Sequence, residues 1–321
     1  YVVEPVFSIT GAAADHRLAV STSDVWLIVW ALLGELIQLG FDLPQLSPHT
    51  CESLLALSLT SEQAGFVKAL AADLFANRGR CVVAAGARQP PVVHAAVHML
   101  NTALGNVGET VRYTIEAEPD RVTHVEAIRQ LAQAARGGRV DTLLILGGNP
   151  AFNAPADVEF ASALAAVKTS IHLSLYDDET SRACTWHVPR AHWLESWGDV
   201  CAYDGTVSVV QPLIEPLYGG KTAGEMLALE AGDAAIKPFD IVRRTFSRTV
   251  GPDPGATAWR KALHDGVVPG SAWPEARPVL RADGWGTLFE GAELQGQGDG
   301  IELVFCQDHS VYDGRFANNA W

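Results

Sequence analysis

Apolar positions along this chain alternate between two periods. In "TSEQAGFVKALAADLFANRG", residues 60–79, Phe66, Val67, Leu70, Leu74 and Phe75 recur at helical spacing. Thr60–Ser61 offers a cap and Gly79 a stop, so a helix is predicted between them. The stretch "VWLIVWALLGELIQLGF", Val25 to Phe41, is apolar almost all round. It follows "STSD", Ser21 to Asp24, which resembles a capping box, and predicts a buried helix over 25–39. Short Val- and Leu-rich runs behave differently. Residues 81–85, residues 143–146 and "TSIHLSL" have the length and composition of buried strands. Helical runs separate them: Pro91 to Leu104, "VTHVEAIRQLAQAARGG" and "PADVEFASALAAV". Strands alternating with helices predict an α/β fold, with mostly parallel sheets and helices on both faces.

The remaining stretches are less regular. Val2–Val3 and Phe7 to Thr10 read as extended, broken by Pro5, and residues 41–59 read as irregular, with Pro44 and Pro48 as breaks. After about residue 200 the chain is rich in Pro and Gly ("GPDPGA", "VPGSAWPEARP", "ADGWG"). Within that part "MLALEAG" and "FDIVRRTFSRTV" predict short helices, and "GIELVFCQD" predicts a strand.

Composition narrows the function classes. The 321 residues carry a net charge of −14, which argues against non-specific nucleic-acid binding, since that needs Lys and Arg to displace counterions. The most apolar stretch, 25–41, is interrupted by Glu35 and Gln38 and falls short of the roughly 20 apolar residues of a membrane span. Tyr1 opens directly into a strand-like run, and "VYDGRFANNAW" does not read as a finished terminus, so the chain is expected to be an interior piece of a larger protein. Cys51, Cys81, Cys184, Cys201 and Cys306 form no C-x-x-C, the pairing that iron–sulfur and zinc sites favour, and read as small hydrophobes.

No G-x-G-x-x-G, P-loop, H-E-x-x-H or G-x-S-x-G is present. Two loops that follow predicted strands are the better candidates: Gly86 to Gln89 and Gly147 to Asn153, with Asn149 the polar group expected to point inward. Ligands in open α/β sheets bind at such carboxyl ends, and parallel strands at 81–85 and 143–146 would put both loops on one crevice. The acidic loop Asp177 to Thr180 follows a third strand and is expected to border the same edge. His16 is read as capping a turn or pairing with Asp15. His94 and His98 lie one helical turn apart, as metal-binding pairs do, but with no third ligand evident they read as a packed face. "WHVPRAHWLESWGD", 186–199, holds His187, His192, Glu195 and Asp199 among three Trp residues. It reads as architecture: Trp186, Trp193 and Trp197 pack, and the polar groups satisfy nearby backbone.

Longer motifs carry a resemblance. "LNTALGNVGETVRY", "LLILGGNPAFNAPADVEFASAL", "DDETSRACTWHVPRAHWLESWGD" and "YDGTVSVVQPLIEPLYGGKTAGEML" together resemble the molybdopterin oxidoreductase superfamily. The "LN-x-x-x-GN-x-G" pattern, Glu179-Thr180-Ser181, Pro189, Glu195, Gly198 and Asp204-Gly205 hold the family's places. The narrower similarity, across nearly the whole chain, is to the molybdopterin-like iron–sulfur subunit of bacterial alternative complex III, a membrane-bound quinol oxidoreductase. The chain also departs from the catalytic pattern. "S-T-S-D" stands where catalytic members have "P-G-T-D", keeping only Asp24, and "TWHVP" replaces "AD-x-x-LP". No Ser, Cys or selenocysteine metal ligand is recognisable.

The resemblance implies a cofactor-free structural module of a respiratory electron-transfer complex; the alternative is a fragment of a catalytic molybdopterin guanine dinucleotide-dependent oxidoreductase. Asp24, Gly86, Gln89, Gly147, Asn149, Asp177 and Glu179 would line a vestigial nucleotide pocket, with no catalytic or metal-binding residue in this chain. Iron–sulfur clusters are expected only downstream of Trp321. The implied partners are other subunits and domains of the complex, with no nucleic acid and no direct membrane span. The implied location is the cell envelope, peripheral to the inner membrane on its periplasmic side. The expected domains are 1–59, the end of an upstream αβ domain; 60–235, a Rossmann-like αβ domain; and 236–321, an irregular C-terminal extension.

Overall fold

A computed structural model describes residues 1–44, 46–115, 118, 120–233, 237–251, 255–281, 285, 301–308, 310–312 and 314. The chain divides into two units, 1–115 with 275–306 and 116–274 with 307–321.

The first unit begins with a parallel pair, β1 (Val2–Glu4) and β2 (Arg17–Ala19), joined through the short helix α1 (Ile9–Ala12). The extended reading of Phe7 to Thr10 is therefore corrected. Ser8 accepts a hydrogen bond from Gly11 N–H and starts a helical turn there, because a Ser side chain satisfies an otherwise unpaired donor. Helix α2 (Val25–Gln38) is the hub, with Ile28, Trp30, Leu32, Leu33 and Leu36 buried. "STSD" is a 3₁₀ turn running into it rather than a capping box: Ser21 Oγ donates to Asp24 Oδ2 at 2.5 Å, and no side chain caps the turn.

Helix α3 (Pro48–Leu55) corrects the irregular reading of 41–59. Pro48 starts the helix at its first position, where no N–H is missed, and Ser47 caps Thr50 N–H at 3.1 Å. It lies so close to α2 that a Cβ on Gly34 would meet Leu54 O at 3.1 Å. Helix α4 (Ser61–Ala76) follows the sequence reading, and its box is complete: Thr60 caps Gln63 N–H at 3.2 Å, and Gln63 accepts from Thr60 N–H at 2.9 Å. Helix α5 (Pro91–Ala103) also forms as read. Strand β3 (Tyr113–Thr114) pairs antiparallel with Glu275–Ala276.

The run 81–85 forms no ladder. Asn101, buried in α5, takes the place of a neighbouring strand: it accepts from Val83 N–H at 3.0 Å and donates to Val83 O at 2.7 Å. The described part of "GIELVFCQD", residues 301–308, likewise forms no ladder, with Asp308 in an isolated bridge to Tyr312. Its apolar residues Ile301, Leu303 and Phe305 stay exposed, so burial does not drive pairing. Most of "VYDGRFANNAW" lies outside the described residues.

The second unit opens with α6 (His124–Arg136), capped by Thr123, and the parallel sheet β4 (Thr142–Leu146), β5 (Thr169–Ser174) and β6 (Trp186–Pro189). The register sets Leu144 opposite Ile171 and His172 opposite His187. Between the strands lie α7 (Pro150–Asn153), α8 (Phe160–Ala165) and α9 (Glu179–Ala183). "PADVEFASALAAV" is a 3₁₀ turn and then α8, broken at Glu159 with φ +48°. Ala132 and Ala135 of α6 and Phe160, Ala163 and Leu164 of α8 pack on Leu143 and Ile145. Beyond the sheet, β7 (Gly198–Cys201) and β8 (Val207–Val210) pair antiparallel, followed by α10 (Ala223–Glu230), α11 (Pro238–Val250) and α12 (Gly255–Asp265). Val209, Val242, Phe246, Trp259 and Ala262 form their own core.

The units cut the chain differently from the division at 59/60 and 235/236. Leu18, Leu33, Val67, Val93 and Leu100 share one core, so 60–115 belongs with what precedes it. The stretch 236–321 is not one irregular extension: α11 and α12 pack beside β8 in the second unit, whereas 275–306 joins the first. The α/β class and the parallel sheets are as expected.

Candidate functional site

At the carboxyl edge of β4, β5 and β6 the loop Gly147–Asn153 and the acidic loop Asp177–Thr180 come together. Gly147 and Gly148 both take left-handed backbone, with φ +84° and +75°. That backbone conformation favours glycine at Gly147; a Cβ there would also displace the end of the Arg190 side chain. Asn149 does not point into open space. Its Oδ1 accepts from Thr180 N–H at 3.2 Å and Thr180 Oγ1 at 2.7 Å, and its Nδ2 donates to Glu179 Oε2 at 2.7 Å. Thr180 Oγ1 in turn accepts from Ala151 N–H at 3.0 Å. That bond to Asn149 holds the Glu179 carboxyl below the usual carboxylate range. Asp178 caps α9 through Ser181 N–H at 2.9 Å, while Asp177 pairs at the surface with Arg182 at 3.4 Å.

Behind this edge lies a buried polar group that sequence reasoning passed over. His172 is fully buried, with Nε2 3.0 Å from Gly148 O and Nδ1 2.8 Å from Ser181 Oγ. His187 Nδ1 is also 2.8 Å from Ser181 Oγ, and Asp178 Oδ1 lies 3.6 Å from His172 Nδ1. Burial pushes the His172 pKa down. A neutral ring must donate from Nε2, because a carbonyl can only accept, which leaves Nδ1 an acceptor; the single Ser181 hydroxyl proton faces both His172 Nδ1 and Tyr176 O, the latter at 3.1 Å. The trio contains Ser, His and Asp, yet Ser181 is buried and held by both rings, and His172 Nε2 is spent on Gly148. It braces the two loops. The signal was available: Ser170, His172 and Ser174 alternate along one face of β5, and a polar set buried on one face of a strand has to find polar partners.

In the 186–199 stretch the structure divides the roles. Trp197 packs, its ring 5.0 Å from Phe239 and 6.1 Å from Trp259. Trp186 and Trp193 stay mostly exposed, at 63% and 64%: Trp186 lies on β6 at the sheet edge, and the Trp193 ring lies against His192 at 5.2 Å. Glu195 accepts from His192 N–H at 3.0 Å and Leu217 N–H at 3.4 Å, and His192 Nδ1 accepts from Leu194 N–H at 3.2 Å. These polar groups satisfy backbone, as expected. Asp199 pairs across β7–β8 with Val209. A hollow of about 430 Å³ lies beside the stretch, lined by Glu195, Trp197, Ile214, Lys221 and Phe239.

The other sequence-named residues belong to the first unit. Gly86 O accepts from Gln89 N–H at 2.9 Å in a turn, and Gln89 Oε1 is buried with no hydrogen-bond partner among the described residues. The two Gly loops therefore do not emerge from one sheet: 81–85 is not a strand, and the loops lie in different units. The "LN-x-x-x-GN-x-G" residues are structural. Asn106, fully buried, donates to Asn101 Oδ1 at 3.0 Å, and its Oδ1 lies 3.4 Å from Cys81 Sγ. The His16 ring lies tilted against Tyr1 at 4.7 Å, and His98 Nδ1 meets Tyr113 OH at 2.6 Å. Among the described residues no three of His, Cys, Asp and Glu converge as a metal-binding group, and no helix is long and apolar enough to cross a membrane.

The chain is similar to acetylene hydratase from Pelobacter acetylenicus, with a TM-score of 0.53 at 12% identity, over 72% of this chain and 43% of that one. The likeness is one of fold. It supports a molybdopterin oxidoreductase-like architecture, of which this chain spans less than half the length of that solved relative. No family model and no curated protein matches the chain.

A pterin nucleotide, the group such a fold family implies, needs donors for its phosphates. Backbone N–H groups at a helix head are the natural holders of its phosphates. At the head of α2 those of Thr22 and Ser23 donate instead to Glu302, at 2.8 and 2.9 Å. Asn149, the inward polar group of the second unit, is also engaged. As arranged, neither place fits the group.

Proposed function

We propose that this chain is a molybdopterin oxidoreductase-like structural module, without its own cofactor, of a respiratory quinol-oxidising electron-transfer complex of the alternative complex III type. The motif resemblance supports the complex. The observation that carries the structural role is the engagement of Asn149 by Glu179 and Thr180, which spends on bracing the polar groups a ligand would need. In this reading the chain positions iron–sulfur domains and partner subunits at the periplasmic face of the inner membrane, and Asp24, Gly86, Gln89, Gly147, Asn149, Asp177 and Glu179 are remnants of a pocket.

Metal analysis of protein made in a host that synthesises the cofactor tests this, with molybdenum and iron both expected absent. Near-stoichiometric molybdenum would make the chain part of a cofactor-dependent oxidoreductase instead. Within the complex, His192→Ala and Glu195→Ala are expected to lower the amount assembled and leave turnover per assembled complex near normal. A hundredfold loss of turnover in fully assembled complex would contradict the structural role.

A further inference from the structure

The hollow of about 430 Å³ beside the 186–199 stretch lies wholly within the second unit. Small ligands occupy hollows of roughly 300–1,000 Å³, lined mostly by apolar groups with a few polar ones among them. Here the apolar wall is Trp197, Phe239 and Ile214, with Pro212 and Pro216 beside them. The Trp197 and Phe239 rings meet edge to face at 5.0 Å, so each holds the other's orientation.

The wall stands without a ligand to support it. Leu194 O accepts from Leu213 N–H at 2.8 Å and Ile214 N–H at 3.2 Å, and Lys221 N–H donates to Pro189 O at 2.9 Å. These bonds pin both ends of the loop 212–220 to the stretch that carries Trp197. Gly220 packs so closely there that a Cβ would meet Ala191 N at 2.7 Å. The loop is thereby propped at the rim. Its Leu213, Leu217 and Tyr218 side chains stay exposed and do not line the hollow.

Three carboxylates and two ammonium groups also line it. Most are already engaged. Glu195 accepts from His192 N–H at 3.0 Å and Leu217 N–H at 3.4 Å, one on each oxygen. Glu225 Oε2 accepts from Thr222 N–H at 2.8 Å, and its Oε1 from Lys221 Nζ at 3.3 Å. The remaining hydroxyl, Ser196 Oγ, donates to His192 O at 3.2 Å. Two groups of opposite sign are left, Glu215 and Lys237. Among the described residues neither side chain makes a hydrogen bond or ion pair, and they do not pair with each other.

We propose that this hollow binds a zwitterion with an apolar body, the chemistry of an apolar α-amino acid. Its carboxylate meets Lys237, its ammonium meets Glu215, and its side chain lies against Trp197 and Phe239. A ligand with a single charge satisfies one of the two groups and is repelled by the other. Such a site goes beyond the structural role and does not depend on it.

The test uses the full chain, isotope-labelled at tryptophan, with the Trp197 indole N–H resonance as the readout. Phenylalanine is the probe, and phenylacetate and phenethylamine, each lacking one of its charges, are the comparisons. Phenylalanine is expected to shift the resonance saturably, with both comparisons at least about tenfold weaker. Lys237→Met and Glu215→Gln should each weaken phenylalanine about tenfold, the scale of one lost hydrogen bond to a charged group. Both positions are exposed, so the fold tolerates the changes, and Lys237→Met should not weaken phenethylamine. No saturable shift with phenylalanine overturns the proposal, as does equal binding of the three probes, or unchanged phenylalanine affinity in either variant. Molybdenum in the purified protein would remove the cofactor-free reading and leave this site standing, so the two fail separately.

Discussion

The Asn101 side chain faces Val83 as one strand faces another, accepting its N–H at 3.0 Å and donating to its carbonyl at 2.7 Å. Asn101 Oδ1 also receives Asn106 Nδ2 at 3.0 Å. The Asn101 Nδ2 donates to Val97 O at 3.1 Å as well, and Asn101→Leu keeps the branched shape and removes all four bonds. A loss of about 1–3 kcal/mol is expected, as for buried polar groups left without partners. Urea unfolding measures it, and an unchanged midpoint would show that the backbone at 83 finds other partners.

His172 gives stability a pH dependence of definite sign. Its pKa in the folded chain lies below its ordinary 6.5, chiefly through burial, while the unfolded chain protonates near 6.5. The unfolded state then binds more protons below 6.5, so this contribution is complete above that pH and is lost as the pH falls. Asp178 and His187 are the titratable groups facing it. His172→Gln should flatten the decline in melting temperature on the acid side of 6.5. A slope identical to wild type would mean that other groups produce it.

Glu4 acts lower on the scale. The Ser8 hydroxyl at 2.5 Å and Arg17 Nε at 2.7 Å hold its carboxyl down at about 2, against an ordinary 4.5. Its stabilisation is present above 4.5 and is lost as pH falls towards 2. Melting curves of wild type and Glu4→Gln should converge as the pH drops through this window. A gap between them that stays constant from neutral pH to pH 2 would count against the assignment.

The clip between Asn149 and Glu179 is open to a direct titration. Because the Asn149 amide is the leading cause of the lowered Glu179 pKa, Asn149→Ala should move that carboxyl back up towards its ordinary value. Carbon-detected NMR of the Glu179 carboxylate follows the change. An unmoved titration curve would show that Arg182 and the local backbone hold the charge by themselves.

Local pattern alone determined several elements. Helices α4, α5 and α6 form where apolar spacing and a starting residue agree, Thr60 and Thr123 as caps and Pro91 at the first turn. Strands β4 and β5 follow from short apolar runs between helices, and the meeting of the Gly147 and Asp177 loops follows from their parallel pairing. A helix satisfies its own backbone, so a stretch of sequence carries most of what it needs to form. Extended segments do not. Whether 81–85 joins a sheet depended on what lay beside it, and the neighbour is the amide of Asn101 rather than a strand. For the same reason Trp186 and Trp193, alike in sequence to Trp197, are exposed while Trp197 is packed against Phe239. The closure of the α2 head by Glu302 spans 280 positions. No local pattern encodes it, because backbone N–H groups at a helix start can donate to any carboxylate and only the tertiary path of the chain decides which one arrives.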